Sequence, residues 1–120
     1  GLGERFWYWR GTSGQAYIHS IYAHDHCPPV PGAVFVIVRA YGGVRTAVEI
    51  GRFGEDGTRR SGGVQTAAGD EIHVHLLARD DEAAERVLRD LAAALADEAA
   101  PRRSEAKVWR KPVQLELLAA

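Results

Sequence analysis

The sequence predicts an α+β domain of two layers: a mainly antiparallel sheet of five or six strands with one principal helix packed on it. Two observations carry this. Residues 70–97 (DEIHVHLLARDDEAAERVLRDLAAALAD) read as a buried strand, a sharp turn and the one convincing long helix. Before them, apolar and polar residues alternate with the period of two that marks strands, in runs separated by glycine and proline turns.

The organising strand is Glu71 to Arg79. Ile72, Val74 and Leu76 form a purely apolar face that is expected to meet the helix. His73 and His75 fall on the other face, expected to be helix-free. Asp80 or Asp81 is a good N-cap, because its carboxylate can accept from the free N–H groups of the first turn. Glu82 and Glu85 add negative charge at the positive end of the helix dipole. Ala84, Val87, Leu88, Leu91, Ala92 and Leu95 make an apolar stripe at helical spacing. Leu88 and Leu91 are expected to pack on Val74 and Leu76. Pro101 ends the helix, since it lacks the N–H to continue it.

Arg5 to Arg10 and Gln15 to Tyr22, joined by Thr12-Ser13-Gly14, read as an N-terminal hairpin spanning 5–22. Its aromatics Trp7, Trp9, Tyr17 and Tyr22 are read as cross-strand packing pairs, in preference to a base-stacking platform. Ala23 to Gly32 contains three prolines in four positions and must be a loop. Ala33 to Tyr41 is a nearly continuous apolar run, the mark of a strand buried on both faces. Gly42-Gly43 turns the chain into Arg45–Arg52, closing a second hairpin. Residues 53–69 are glycine-rich, with a short helical turn expected at 65–68. Val113, Leu115 and Leu117 alternate with polar residues, giving an expected strand at 112–118 that begins at or beside Pro112.

A chain of 120 residues with 46% apolar content fits one domain with one modest core. The net charge of −1 makes no general case for an acidic or nucleic-acid partner. No apolar run approaches the ~20 residues needed to cross a bilayer, and no secretory signal pattern is present, so no membrane partner is expected. Cys27 is the only cysteine, which fits a reducing cytoplasm. Thirteen of the fifteen basic residues are arginine, as either a GC-rich genome or a binding surface would give.

Pro31-Gly32-Ala33-Val34-Phe35 opens one strand and Glu49-Ile50-Gly51 closes the next; Arg59 follows eight residues after Gly51. The strand His73–Leu77, the helix Glu82–Leu95 and Ala100-Pro101-Arg102-Arg103-Ser104 come later. In that order residues 31–104 resemble a GIY-YIG domain, the small nuclease module of homing endonucleases and excision-repair nucleases. The resemblance implies two tyrosines that activate a water, an arginine that stabilises phosphate charge, a glutamate that holds a divalent metal and a late asparagine. At those positions this chain carries Phe35, Glu49, Arg59 or Arg60, Arg89 or Asp90, and Ser104. With the hydroxyls and the glutamate replaced, the expectation is a catalytically silent GIY-YIG-like binding module whose ligand is nucleic acid or protein, with no cofactor. A divalent-metal-dependent nuclease with an altered ligand set, built on Glu49 or Asp90, is the second reading.

Two further groups could bind ions. His24, His26 and Cys27 in the proline loop, with His73 and His75 on the strand, have the donor types of a zinc site, though their spacing matches none of the standard patterns. A small zinc-binding domain is therefore the third reading. Arg59-Arg60 and Arg102-Arg103 are the candidate phosphate contacts, and solvated surface is their default role.

Overall fold

A computed structural model describes residues 5–99. Five strands, β1 (Phe6–Arg10), β2 (Ala16–Ala23), β3 (Val34–Tyr41), β4 (Val44–Arg52) and β5 (Asp70–His75), precede one helix, α1 (Asp81–Ala99). The strands form a single sheet in the order β1-β2-β5-β3-β4. Every neighbouring pair is antiparallel. The expected strand at 112–118, with Pro101, Arg102, Arg103 and Ser104, lies outside the described residues.

Local chemistry accounts for each element. Gly42 and Gly43, at φ of 61° and 84°, make the two-residue turn between β3 and β4. Two successive left-handed residues match the twist of the strands they join, and glycine adopts them without a Cβ clash. Asp80 caps α1, its Oδ1 accepting from the Ala83 amide at 2.7 Å. Arg52 ties the same end to the sheet: it donates to Asp81 at 2.7 Å, to Glu85 at 2.9 Å and to the Gly32 carbonyl at 2.8 Å.

The sheet curls around α1, which touches both edge strands, β1 and β4, as well as β3. Ala84, Val87 and Leu91 pack there with Trp9, Val34, Val36, Val38 and Ala47. Leu88 and Leu95 are partly buried against the same cluster, while Ala92 is exposed. A second cluster fills the other face: Phe35, Ile37, Phe53, Ile72 and Val74, with Cys27, Val30 and Val64 packed against it. The loops 24–33 and 53–69 provide its cover, the first leading from β2 to β3 and the second from β4 back to the middle of the sheet.

This arrangement corrects the expected faces of β5. His73 and His75 are on the helix side and buried, whereas Ile72 and Val74 face the loops. Leu91 is 1% exposed, as a core residue should be, yet it packs on β1, β3 and β4 residues instead of on Val74. The strand also ends earlier than expected: Leu76 and Leu77 follow it and are exposed. The physical reason is that β5 is a central strand covered on both sides. An alternation of histidine with aliphatics then does not separate core from solvent, provided the histidines find hydrogen-bond partners. Residues 65–68 form no helical turn. The chain instead reverses at Ala67–Asp70, with Gly69 at φ 95°.

Candidate functional site

Phe35, Glu49 and Arg59 converge on the loop-covered face. Phe35 pairs with Gly51 across the β3–β4 hairpin, and its buried ring packs on Phe53 at 4.7 Å between centroids. The Arg59 guanidinium lies 6.0 Å from the centre of the Phe35 ring. Glu49 accepts from Arg59 at 3.2 Å and from the Val64 amide at 2.7 Å, while Arg59 also donates to the Val64 carbonyl at 2.7 Å. Both charged groups are therefore engaged in holding the loop 53–69 to β4. Arg60 beside them is exposed.

Asp90 does not join this group, because it lies on α1, with the sheet between. Its carboxylate accepts from the Thr12 hydroxyl at 3.0 Å, the Ser13 amide at 2.8 Å and the Tyr17 hydroxyl at 2.8 Å, and from the Ser13 hydroxyl. Partial burial opposes ionisation, but these donors outweigh it and hold the Asp90 carboxyl below its ordinary range. Gly11 is required for the approach: a Cβ there would collide with the Asp90 carboxylate. Asp90 thus staples the β1–β2 turn to the helix.

The zinc candidates divide between two faces. His24 and His26 flank Asp25 in the loop, at 3.8 and 2.8 Å from its carboxylate. Cys27 packs against the second cluster, and burial pushes its thiol pKa up. His73 and His75 lie across the sheet from these loop residues. Among the described residues, no group of three or more histidine, cysteine, aspartate or glutamate side chains could hold a metal ion.

Beneath the helix lies a polar network that the sequence reading missed. The Trp9 indole donates to His73 Nδ1 at 2.9 Å, so the His73 proton sits on Nε2, which donates to Glu71 at 2.8 Å. Glu71 also accepts both arms of the Arg45 guanidinium, at 2.8 and 3.2 Å, and that guanidinium stacks 4.3 Å over the Trp7 ring. Burial opposes the charge on Glu71, but the bonds from His73 and Arg45 hold its pKa at about 2. His19 completes the buried set. Its Nδ1 donates to the Tyr17 carbonyl at 2.9 Å, its Nε2 has no hydrogen-bond partner among the described residues, and burial lowers its pKa to about 3. One signal for this was present: His19 shares a strand face with Tyr17, opposite Trp7 and Trp9.

A cleft of about 780 Å³ opens between the β1–β2 hairpin and the first half of α1. It exists because β2 pairs with β5 only over Ser20–Ala23, and β5 stops at His75. Tyr8, Ile18, His75, Arg86 and Arg89 are among its walls. The backbone edge left open is partly satisfied by a side chain, since the Ile18 carbonyl accepts from His75 Nδ1 at 2.7 Å. The β1 aromatics split by parity. Trp7 and Trp9 turn inward, while Phe6 and Tyr8 are 39% and 40% exposed.

No family model, curated protein or solved structure matches this chain.

Proposed function

We propose that the protein is a catalytically silent, GIY-YIG-like binding module whose ligand is single-stranded nucleic acid, held at the cleft between the β1–β2 hairpin and α1. The observation that carries this reading is that one cleft is lined by exposed Tyr8 from β1 and by Arg86 and Arg89 from α1. Bases stack on aromatic rings whatever their sequence, and guanidinium groups track the phosphates. Arg89 has no ion pair among the described residues, and Arg86 has only a 3.6 Å exposed contact to Glu82, so both are available to an anion. The cleft volume also lies in the range of small-ligand sites.

Silence toward the phosphodiester follows from what the candidate carboxylates already do. Metal-assisted hydrolysis needs an ion ligand and an activated water. Glu49 is committed to Arg59 and Val64, and Asp90 to the hairpin turn, while Phe35 has no hydroxyl to offer.

The test is fluorescence anisotropy with labelled twelve-nucleotide strands, beside a cleavage assay in magnesium and manganese. Binding is expected to weaken as salt rises, because phosphate neutralisation releases counterions. Arg89→Ala is expected to weaken it without loss of fold, and Arg59→Ala to act on stability instead. Cleavage by the native chain that disappears in Glu49→Ala or Asp90→Ala would replace this reading with the nuclease. Absence of binding to any strand would make a protein the ligand class.

A further inference from the structure

Inside the curl of the sheet, Trp7 Nε1 on β1 and His19 Nε2 on β2 are both buried and have no hydrogen-bond partner among the described residues. Trp7 and His19 stand directly opposite each other in the β1–β2 register. The Ile21 amide donates to the Arg5 carbonyl, so the odd-numbered residues of β2 exchange backbone bonds with β1, and Trp7 and His19 are one such pair. Opposed side chains share a face, here the inner one, where Trp7 packs on the core cluster and His19 is 1% exposed. Arg10 Nε, also buried and unpartnered, belongs to the other face by strand parity.

The two atoms are complementary. An indole N–H only donates. His19 Nδ1 lies 2.9 Å from the Tyr17 carbonyl oxygen, which only accepts, so Nδ1 carries the proton and Nε2 of the neutral ring presents a lone pair. Donor and acceptor do not bond each other directly. Packing holds both rings in place. Arg45 stacks over Trp7 at 4.3 Å and Trp9 lies 6.5 Å from it, while His19 is fixed by its Tyr17 bond and by the His75 ring at 5.3 Å.

A buried donor and a buried acceptor are costly to leave unmet. One small molecule serves both, accepting through its oxygen and donating through its hydrogen. We infer that an internal water binds between Trp7 and His19, accepting from Trp7 Nε1 and donating to His19 Nε2. Two such partners meet the minimum for a buried water. Because Arg45 covers the Trp7 ring, the water also brings His19 up to the Arg45–Glu71–His73–Trp9 network, so that β1, β2, β4 and β5 share one polar interior. Hydration of this pair is independent of what the cleft binds.

The experiment uses the full chain, ¹⁵N-labelled, at neutral pH. Trp7 Hε1 should show a cross-peak to the water resonance with opposite signs in NOESY and ROESY spectra, the mark of a bound water, whereas equal signs would mean hydrogen exchange. His19 Nε2 should resonate as an unprotonated, hydrogen-bonded ring nitrogen. His19→Phe removes the acceptor at similar ring size and is expected to abolish the Trp7 cross-peak. Should that variant fail to fold, the two readouts on the native chain decide the question. A missing or exchange-type cross-peak in the native chain, a His19 Nε2 at the unbonded or protonated position, or a cross-peak unaltered in His19→Phe overturns the inference.

Discussion

The Trp9 indole N–H donates to His73 Nδ1 at 2.9 Å, across 64 positions of chain and from one strand of the curled sheet to another. Nothing in the local sequence of either residue calls for the other. The bond sets the His73 tautomer and, through Nε2, directs a proton to Glu71. Trp9→Phe would keep most of the apolar volume and strand His73 Nδ1 without a donor. The expected cost is ~1–3 kcal/mol beyond packing, because the nitrogen stays buried. Urea denaturation should show a lower midpoint at an unchanged slope, and a shift below ~0.5 kcal/mol would mean that the bond contributes little.

Asp90 holds the β1–β2 turn by four donors from three residues. Asp90→Ala is expected to cost ~2 kcal/mol, as charge-assisted bonds at a partly exposed site do. Gly11→Ala should act on the same contact by steric collision. Hydrogen exchange checks the mechanism: the Ser13 amide should lose protection in both variants while β3 amides keep theirs.

Acid should destabilise the fold well above the carboxylate range. His19 has its pKa lowered from 6.5 to about 3 by burial, and His73 is lowered in the same direction, again by burial first. The unfolded chain therefore binds these protons at a higher pH than the native state does. Their stabilising contribution is complete above pH ~6.5 and declines as pH falls toward the folded value, at ~1.4 kcal/mol per pH unit per proton. Glu71, lowered to about 2, adds a further loss below pH 4.5. Replacing the first proton site with His19→Phe should flatten the dependence between pH 6.5 and 5. An unchanged profile in that variant would show that His19 is not its source.

Leu91 is 1% exposed in the cluster under the helix. Leu91→Ala is expected to cost ~2–5 kcal/mol, transfer and cavity together. Ala92→Ser, one residue on and exposed, should stay within ~0.5 kcal/mol. The pair measured by thermal denaturation reports the helix face directly, and similar costs at the two sites would put the wrong face inward.

Residue patterns alone determined the elements and their class. Helical spacing at Ala84, Val87 and Leu91, a carboxylate at Asp80, paired glycines at 42–43 and the apolar run of β3 are each read from neighbours within a few positions. Backbone preference and amphipathicity act over that range. Only the tertiary structure decided which face each functional side chain occupies. The order β1-β2-β5-β3-β4 inserts β5 between two strands and covers both its sides, so His73 and His75 turned inward to partners from β1 and β2. The same folding sent Asp90 to the hairpin turn and Glu49 to the loop 53–69, on opposite faces of the sheet. A side chain's charge or lone pair is visible in the sequence, but its partner is set by strand order and packing, which bring together residues with no local claim on one another.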